Sequence, residues 1–150
     1  MPQVAPTKVG ARPFNSTAIN VTWTPIPETR EKIRGKLIGY RIKYWRKDLK
    51  EIVESQYLLS RSVEPHALII GLQPNAYYWV RVMAYNSAGP GPESERFLER
   101  TFKLRPQKPP TAVQVYGINP STVRVTWRYV APSVKEEPLT GYKVFNNISI

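Results

Sequence analysis

The stretch LQPNAYYWVRVMA, residues 72–84, contains the pattern that decides the fold of this chain. Leu72 is followed two residues later by Pro74, and Tyr78 comes four residues after that proline. This spacing at the start of a strand is typical of a tyrosine corner, in which the phenol bonds back to the backbone and fixes the crossover between two sheets. From Tyr78 onward, apolar residues alternate with others, so every second side chain is predicted to face a core.

Other segments of the chain alternate in the same way. Residues 19–23 and 40–44 read as strands with one buried face, residues 68–70 as a short apolar strand, residues 97–102 as the last strand of the sandwich, and residues 50–59 as a weaker strand. A helical period is ambiguous around residues 46–59 and convincing nowhere. About seven short strands separated by turn signals predict an all-β fold, a β-sandwich.

The chain repeats itself. Residues 15–23, NSTAINVTW, return as residues 119–127, NPSTVRVTW, and residues 37–42, LIGYRI, return as residues 139–144, LTGYKV. The repeat predicts one complete domain over residues 4–104, a proline-containing linker over residues 105–110, and the first strands of a second domain over residues 111–150. Half a sandwich leaves strand edges and an apolar face uncovered, so folding of the second segment stays open.

These motifs together resemble the fibronectin type III family, an immunoglobulin-like β-sandwich. The resemblance rests on the proline-led first strand, the GYRIKYW strand at residues 39–45, and the run LQPNAYYWVRVMAYNSAG at residues 72–89. In the first domain it implies structural roles for Trp23 and Tyr40, which Trp127 and Tyr142 repeat in the second. The segments RGKLIGYRIKYW and GINPSTVRVTW are further similar to the fibronectin modules of contactins and related immunoglobulin-superfamily adhesion molecules.

The contactin resemblance implies a glycosylated, extracellular adhesion module at the cell surface or a cell junction. Its partners would be other cell-surface adhesion proteins, and its membrane anchor would lie outside this chain. A different class stays open, because intracellular arrays in giant muscle proteins use the same module and would carry no glycans.

Composition excludes several kinds of chemistry. The chain has no cysteine and a single histidine, His66, so no catalytic, cofactor-binding or metal site is predicted. The net charge of +11 favours acidic partners. Nucleic acid is not among the expected partners, because the recognised RNA motifs are missing and most aromatic residues are assigned to the core.

Three sequons, the acceptor sequences for N-linked glycans, occur at Asn15, Asn20 and Asn147. Asn20 lies on the outward phase of a predicted strand and should therefore be accessible. The pair of sequons near the start of the chain favours passage through the secretory pathway.

A stripe of basic and aromatic side chains is predicted on the outer face of one sheet. If the strands around residues 40–45 and 78–85 are neighbours, Arg41, Lys43 and Trp45 share a face with Trp79 and Arg81. We expect both indoles to be exposed there. Two interpretations remain open: a partner-binding face, or basic stems that cover the indoles and keep the sheet soluble.

The predicted loop after Trp23 is basic at every second position over residues 30–36. Such a loop could bind the sulfates of heparan sulfate, or it could simply be solvated. The four basic residues are Arg30, Lys32, Arg34 and Lys36.

Overall fold

A computed structural model of the protein describes residues 1–145, arranged as two compact units, Met1–Phe102 and a second that begins at Lys103. Ten strands and two short helices make up the secondary structure of the described residues. In chain order they are β1 (Thr7–Asn15), β2 (Ala18–Thr24), α1 (Arg30–Ile33), β3 (Gly39–Arg46), α2 (Glu51–Glu54), β4 (Gln56–Ser60), β5 (His66–Ile69), β6 (Tyr77–Asn86), β7 (Gly89–Pro90), β8 (Phe97–Arg100), β9 (Thr111–Asn119) and β10 (Thr122–Arg128).

The first unit is a sandwich of two antiparallel sheets. One sheet has the strand order β1-β2-β5, and the other has the order β4-β3-β6-β7, with β8 also pairing with β6. The buried residues of β2, β3 and β6 form one hydrophobic cluster between the sheets. The all-β sandwich predicted from the alternation is therefore confirmed.

The period of two explains which side chains enter this core. Along β2, Ile19, Val21 and Trp23 are buried while the residues between them are exposed. Along β6, Val80 and Val82 are fully buried in the same phase. Successive side chains of a strand point to opposite faces, so the apolar phase is removed from water and the other phase is left for solvent or a partner.

A hydrogen-bonded corner joins the two sheets before β6. The Tyr78 hydroxyl accepts a bond from the Gln73 backbone N–H at 2.9 Å, and Leu72 packs into the core beside it. Asn75 has a positive φ of 50°, which the turn requires. The Thr101 hydroxyl ties the same turn to the last strand by donating to the Gln73 carbonyl at 2.6 Å. This is the geometry of a tyrosine corner.

Residues 50–59 differ from the expected weak strand. Glu51–Glu54 forms the helical turn α2, and β4 begins only at Gln56. The carboxylate of Glu51 accepts hydrogen bonds from the side chains of Lys43 on β3 and Arg81 on β6. These contacts hold α2 over the outer face of the sheet, so the first half of the segment does not join the sheet as a strand.

The second unit contains the hairpin of β9 and β10, whose strands pair from Thr111 to Arg128. The rings of Trp127 and Tyr142 meet at 5.2 Å, edge to face. The expected third strand around Tyr142 is not formed within the described residues, which end at Phe145. A strand needs a hydrogen-bonded neighbour, and no strand in the described part of this unit pairs with that segment.

Candidate functional site

The outer face of β3 and β6 brings the predicted basic and aromatic side chains together. The strands pair in register, with Lys43 opposite Arg81 and Trp45 opposite Trp79, while Arg41 lies opposite Met83. All five predicted residues therefore share one face. Directly opposed side chains on a sheet are close enough to contact, so their charges and rings interact.

Trp45 is not exposed on this face. Only 3% of its surface is accessible, and the Lys43 ammonium lies 5.7 Å and the Arg81 guanidinium 6.0 Å from the centre of its ring. The expectation that both indoles are exposed is therefore wrong for Trp45. Two cations beside a buried indole favour the second interpretation of the stripe at this position.

An ion cluster closes over Trp45. The Glu51 carboxylate lies 3.1 Å from the Lys43 ammonium and 3.0 Å from the Arg81 guanidinium. Glu93, from the segment between β7 and β8, bridges the same two cations at 3.2 and 3.7 Å. Nothing in the local sequence of Glu51 shows that a helical turn returns it to the sheet, so its role in this cluster was missed in the sequence.

The cluster shifts the ionisation of its members. Burial raises the pKa of the Glu51 carboxyl, but the hydrogen bond from Lys43 and the charge of Arg81 outweigh it, so this pKa lies below its usual value. Burial lowers the pKa of Lys43, yet its hydrogen bonds to Glu51 and Glu93 raise it above the usual value. Both groups are held in their charged forms at neutral pH.

Trp79, directly opposite Trp45 on the same face, remains partly exposed. The Arg96 guanidinium stacks over its ring at 4.1 Å, a favourable cation-π distance. Arg96 was missed in the sequence, because it precedes β8 and reaches Trp79 only through the pairing of β8 with β6. Arg41 likewise stacks on an aromatic ring from β4, that of Tyr57, at 3.8 Å.

The four basic residues after β2 lie on an ordered loop. Arg30 and Lys32 belong to α1, while Arg34 and Lys36 follow it, and all four side chains are exposed. The loop is anchored from below by the buried Ile33, whose carbonyl accepts a bond from the Asn86 amide at 3.0 Å. The helical turn places the cations around one apolar anchor, which the two-residue spacing alone did not indicate.

Two of the three sequons lie on the described surface. Asn20 is exposed on β2, and Asn15 is exposed at the end of β1, where its side-chain oxygen accepts a bond from the Thr17 N–H at 2.8 Å. Asn147 lies outside the described residues.

The described residues contain neither a cluster of metal ligands nor a membrane-spanning helix. Within residues 1–145, no three histidine, aspartate or glutamate side chains cluster as metal ligands would. No helix in the same range has the length and apolar character needed to cross a membrane.

Comparison with known proteins assigns the family. The fibronectin type III domain matches residues 4–99. The chain belongs to the fibronectin type III family. Contactin of Drosophila melanogaster is 65% identical over 144 residues, 96% of this chain and 10% of the relative. Human contactin-2 is 37% identical over 143 residues, 95% of this chain and 13% of the relative.

Solved structures agree with this assignment. The fn3 domain of human contactin 1 aligns with a TM-score of 0.61 and 31% identity, covering 72% of this chain and 85% of that domain. These similarities confirm the contactin resemblance seen in the sequence. The chain spans only about a tenth of the length of the curated relatives it matches.

Proposed function

We propose that this chain is a non-enzymatic adhesion module of a contactin-like protein at the extracellular cell surface. The observation that carries this proposal is the 65% identity to Drosophila contactin, which extends over 144 residues, 96% of this chain. In this role the rigid sandwich spaces and orients neighbouring domains and contacts another cell-surface adhesion protein. The parent protein would supply the membrane anchor.

The secretory location is tested by the glycans. We expect the protein purified from its source tissue to lose mass when N-linked glycans are removed enzymatically, with Asn15 or Asn20 converted to aspartate. Both side chains are exposed on the first unit and can accept a glycan. An unchanged mass would favour the alternative, an intracellular structural array.

The partner-contacting surface of the proposal is the outer face of β3 and β6, with Trp79 and Arg96 at its centre. Lys43 and Arg81 are already bound to Glu51 and Glu93, so they contribute less to a partner than free cations would. Partly exposed aromatic rings next to arginines are the residues that most often dominate protein interfaces. Trp45 acts as the buried support of this face.

The face is tested with the full chain binding to cultured neuronal or epithelial cells, measured by flow cytometry. We expect Trp79→Ser to weaken binding, because it removes the aromatic anchor and leaves Arg96 unstacked. Phe14→Ser is the matched control, since Phe14 is an exposed aromatic on β1 of the other sheet. If the Trp79→Ser variant binds the cells as well as the Phe14→Ser control, the face does not contact a partner and serves only to keep the sheet soluble.

Binding of heparan sulfate is a second candidate function. The observation that favours it is the anchored loop with four exposed cations, none of which is ion-paired within the described residues. Several cations held on one ordered loop can meet several sulfates at once, and the attraction would weaken strongly with salt.

Heparin affinity chromatography separates this function from general basicity. We expect the loop variant to elute at much lower salt than the wild type, whereas a control variant with equal charge loss should elute close to it. If the two variants elute together, the loop has no special role. The loop variant replaces Arg30, Lys32, Arg34 and Lys36 with serine, and the control replaces Lys8, Arg12, Lys50 and Arg61.

A further inference from the structure

The edge strand β4 carries none of the usual protections of a sheet edge. It stands at the end of its sheet and, among the described residues, pairs only with β3. Its sequence, QYLLS, has no charged residue and no proline. Natural edge strands usually carry a lysine, a proline or a bulge, since free backbone groups otherwise attract another strand.

One of the two edges of the opposite sheet, β1, shows the contrast. Strand β1 contains Pro13 and Lys8, and Lys8 has a positive φ of 52°. Its pairing with β2 is interrupted by two register shifts. These features obstruct the addition of a strand to β1, whereas β4 remains open to it.

A shallow groove of about 430 Å³ runs across the outer face beside β4. Its walls are mainly apolar, and the two β4 residues in it are each about half exposed. Leu59 and Tyr57 therefore present apolar surface in the phase that points away from the core. The lining residues are Arg41, Tyr57, Leu59, Tyr85, Gly89 and Pro90.

Arg41 gives this groove a positive charge. Its guanidinium stacks on Tyr57 and, within the described residues, forms no ion pair, unlike its neighbours Lys43 and Arg81. A cation in an apolar groove without a counter-ion attracts a carboxylate. A second copy of this chain is a poor occupant, because each copy carries a net charge of +11 and copies repel each other.

We propose that β4 and the Arg41 groove dock an extended segment of an acidic partner protein. The segment adds as a strand beside β4, its backbone pairing with the free edge, and it places a carboxylate against Arg41 and apolar side chains beside Tyr57 and Leu59. This site was not predicted from the sequence. It shares Arg41 and Tyr85 with the outer face of β3 and β6 and does not depend on Trp79.

A peptide titration of the full, isotope-labelled chain, followed by NMR, tests the proposal. The probe is a blocked heptapeptide in which valine and glutamate alternate. We expect saturable shifts at the amides of Gln56–Ser60. Two control peptides should leave the chemical shifts of these amides unchanged. A peptide with lysine in place of glutamate lacks the carboxylate for Arg41, and a peptide with N-methyl groups on alternate amides cannot form the backbone hydrogen bonds to β4.

Two pairs of variants locate the contacts. Arg41→Gln should weaken binding about tenfold, the loss expected for one charge-assisted contact, while Arg12→Gln on β1 should not. Leu59→Ser should weaken binding, while Leu68→Ser on the edge strand β5 should not; these leucines are 52% and 40% exposed.

Three results would overturn the proposal. The first is a set of shifts confined to the basic loop, which would indicate general charge attraction. The second is equal binding of the N-methylated peptide, which would exclude strand addition. The third is self-association of the chain through β4 in sedimentation experiments, which would make a second copy the occupant.

Discussion

Removing one hydroxyl from each of two buried tyrosines should change the stability of the first unit in different ways. Tyr78 and Tyr40 are 6% and 0% exposed, and both belong to the same core cluster. The Tyr78 hydroxyl accepts the Gln73 N–H at 2.9 Å. The Tyr40 hydroxyl forms no well-aligned hydrogen bond within the described residues, although the Ile26 backbone and the Trp23 indole lie near it. The two substitutions by phenylalanine are otherwise closely matched.

The expected magnitudes follow from these contacts. Tyr78→Phe leaves the Gln73 N–H without its partner, so the free energy of unfolding should fall by about 1–2 kcal/mol. Tyr40→Phe removes a buried polar atom that forms no well-aligned hydrogen bond, so the free energy of unfolding should stay unchanged or rise by up to about 1 kcal/mol.

The assay is urea unfolding of the full chain, followed through the NMR signals of the Val80 and Val82 amides. These residues lie in the core of the first unit, so their signals report its unfolding separately from that of the second unit. Equal losses in the two variants would refute the reasoning, because stability would then depend on the phenol itself and not on the corner hydrogen bond.

Three further predictions concern the same unit. Trp23→Ala should lower the free energy of unfolding by about 3–5 kcal/mol, a large share of the stability of a small domain, as measured by thermal unfolding. Gly39→Ala should cost about 1–3 kcal/mol in urea unfolding, because the added Cβ would collide with the Ser60 carbonyl, whereas Gly10→Ala has only the Thr22 side chain nearby at 3.9 Å. The stability difference between wild type and Glu51→Gln should be full at pH 7 in urea titrations, begin to shrink as the pH falls past the ordinary glutamate pKa of about 4.3, and be lost only as the pH passes below the lowered pKa of Glu51 in the folded state. A pH-independent difference would show that Glu51 acts without its charge.

The outer face of β3 and β6 could be predicted from the sequence only in part. Alternation along β3 and β6 correctly brings Lys43, Trp45 and Arg81 to one face, because strand periodicity and sheet neighbours follow from local pattern and fold class. The same pattern cannot show what lies above that face. Glu51 and Glu93 come from connecting segments whose paths depend on tertiary contacts, and they convert the predicted open stripe into a closed ion cluster.

The docking edge at β4 was also beyond sequence reasoning. Residues 50–59 carry both a weak strand pattern and a weak helical pattern, and the boundary between α2 and β4 is set by the Glu51 contacts. Only the strand order shows that β4 ends its sheet and that Arg41 stacks on Tyr57. These partners are far apart in the chain, so no local spacing connects them.

By itself, the sequence determined the sandwich, the tyrosine corner motif, the phase of β2, β3 and β6, and the repeat. These features follow from short-range rules: side chains alternate along a strand, and a proline and tyrosine at set spacing shape a corner. The tertiary structure alone decided which of the outward residues stay accessible. Trp45 is buried while Trp79 is not, because burial of an outward side chain depends on distant charged partners that fold over it, and charge pairing across the chain leaves no local pattern in the sequence.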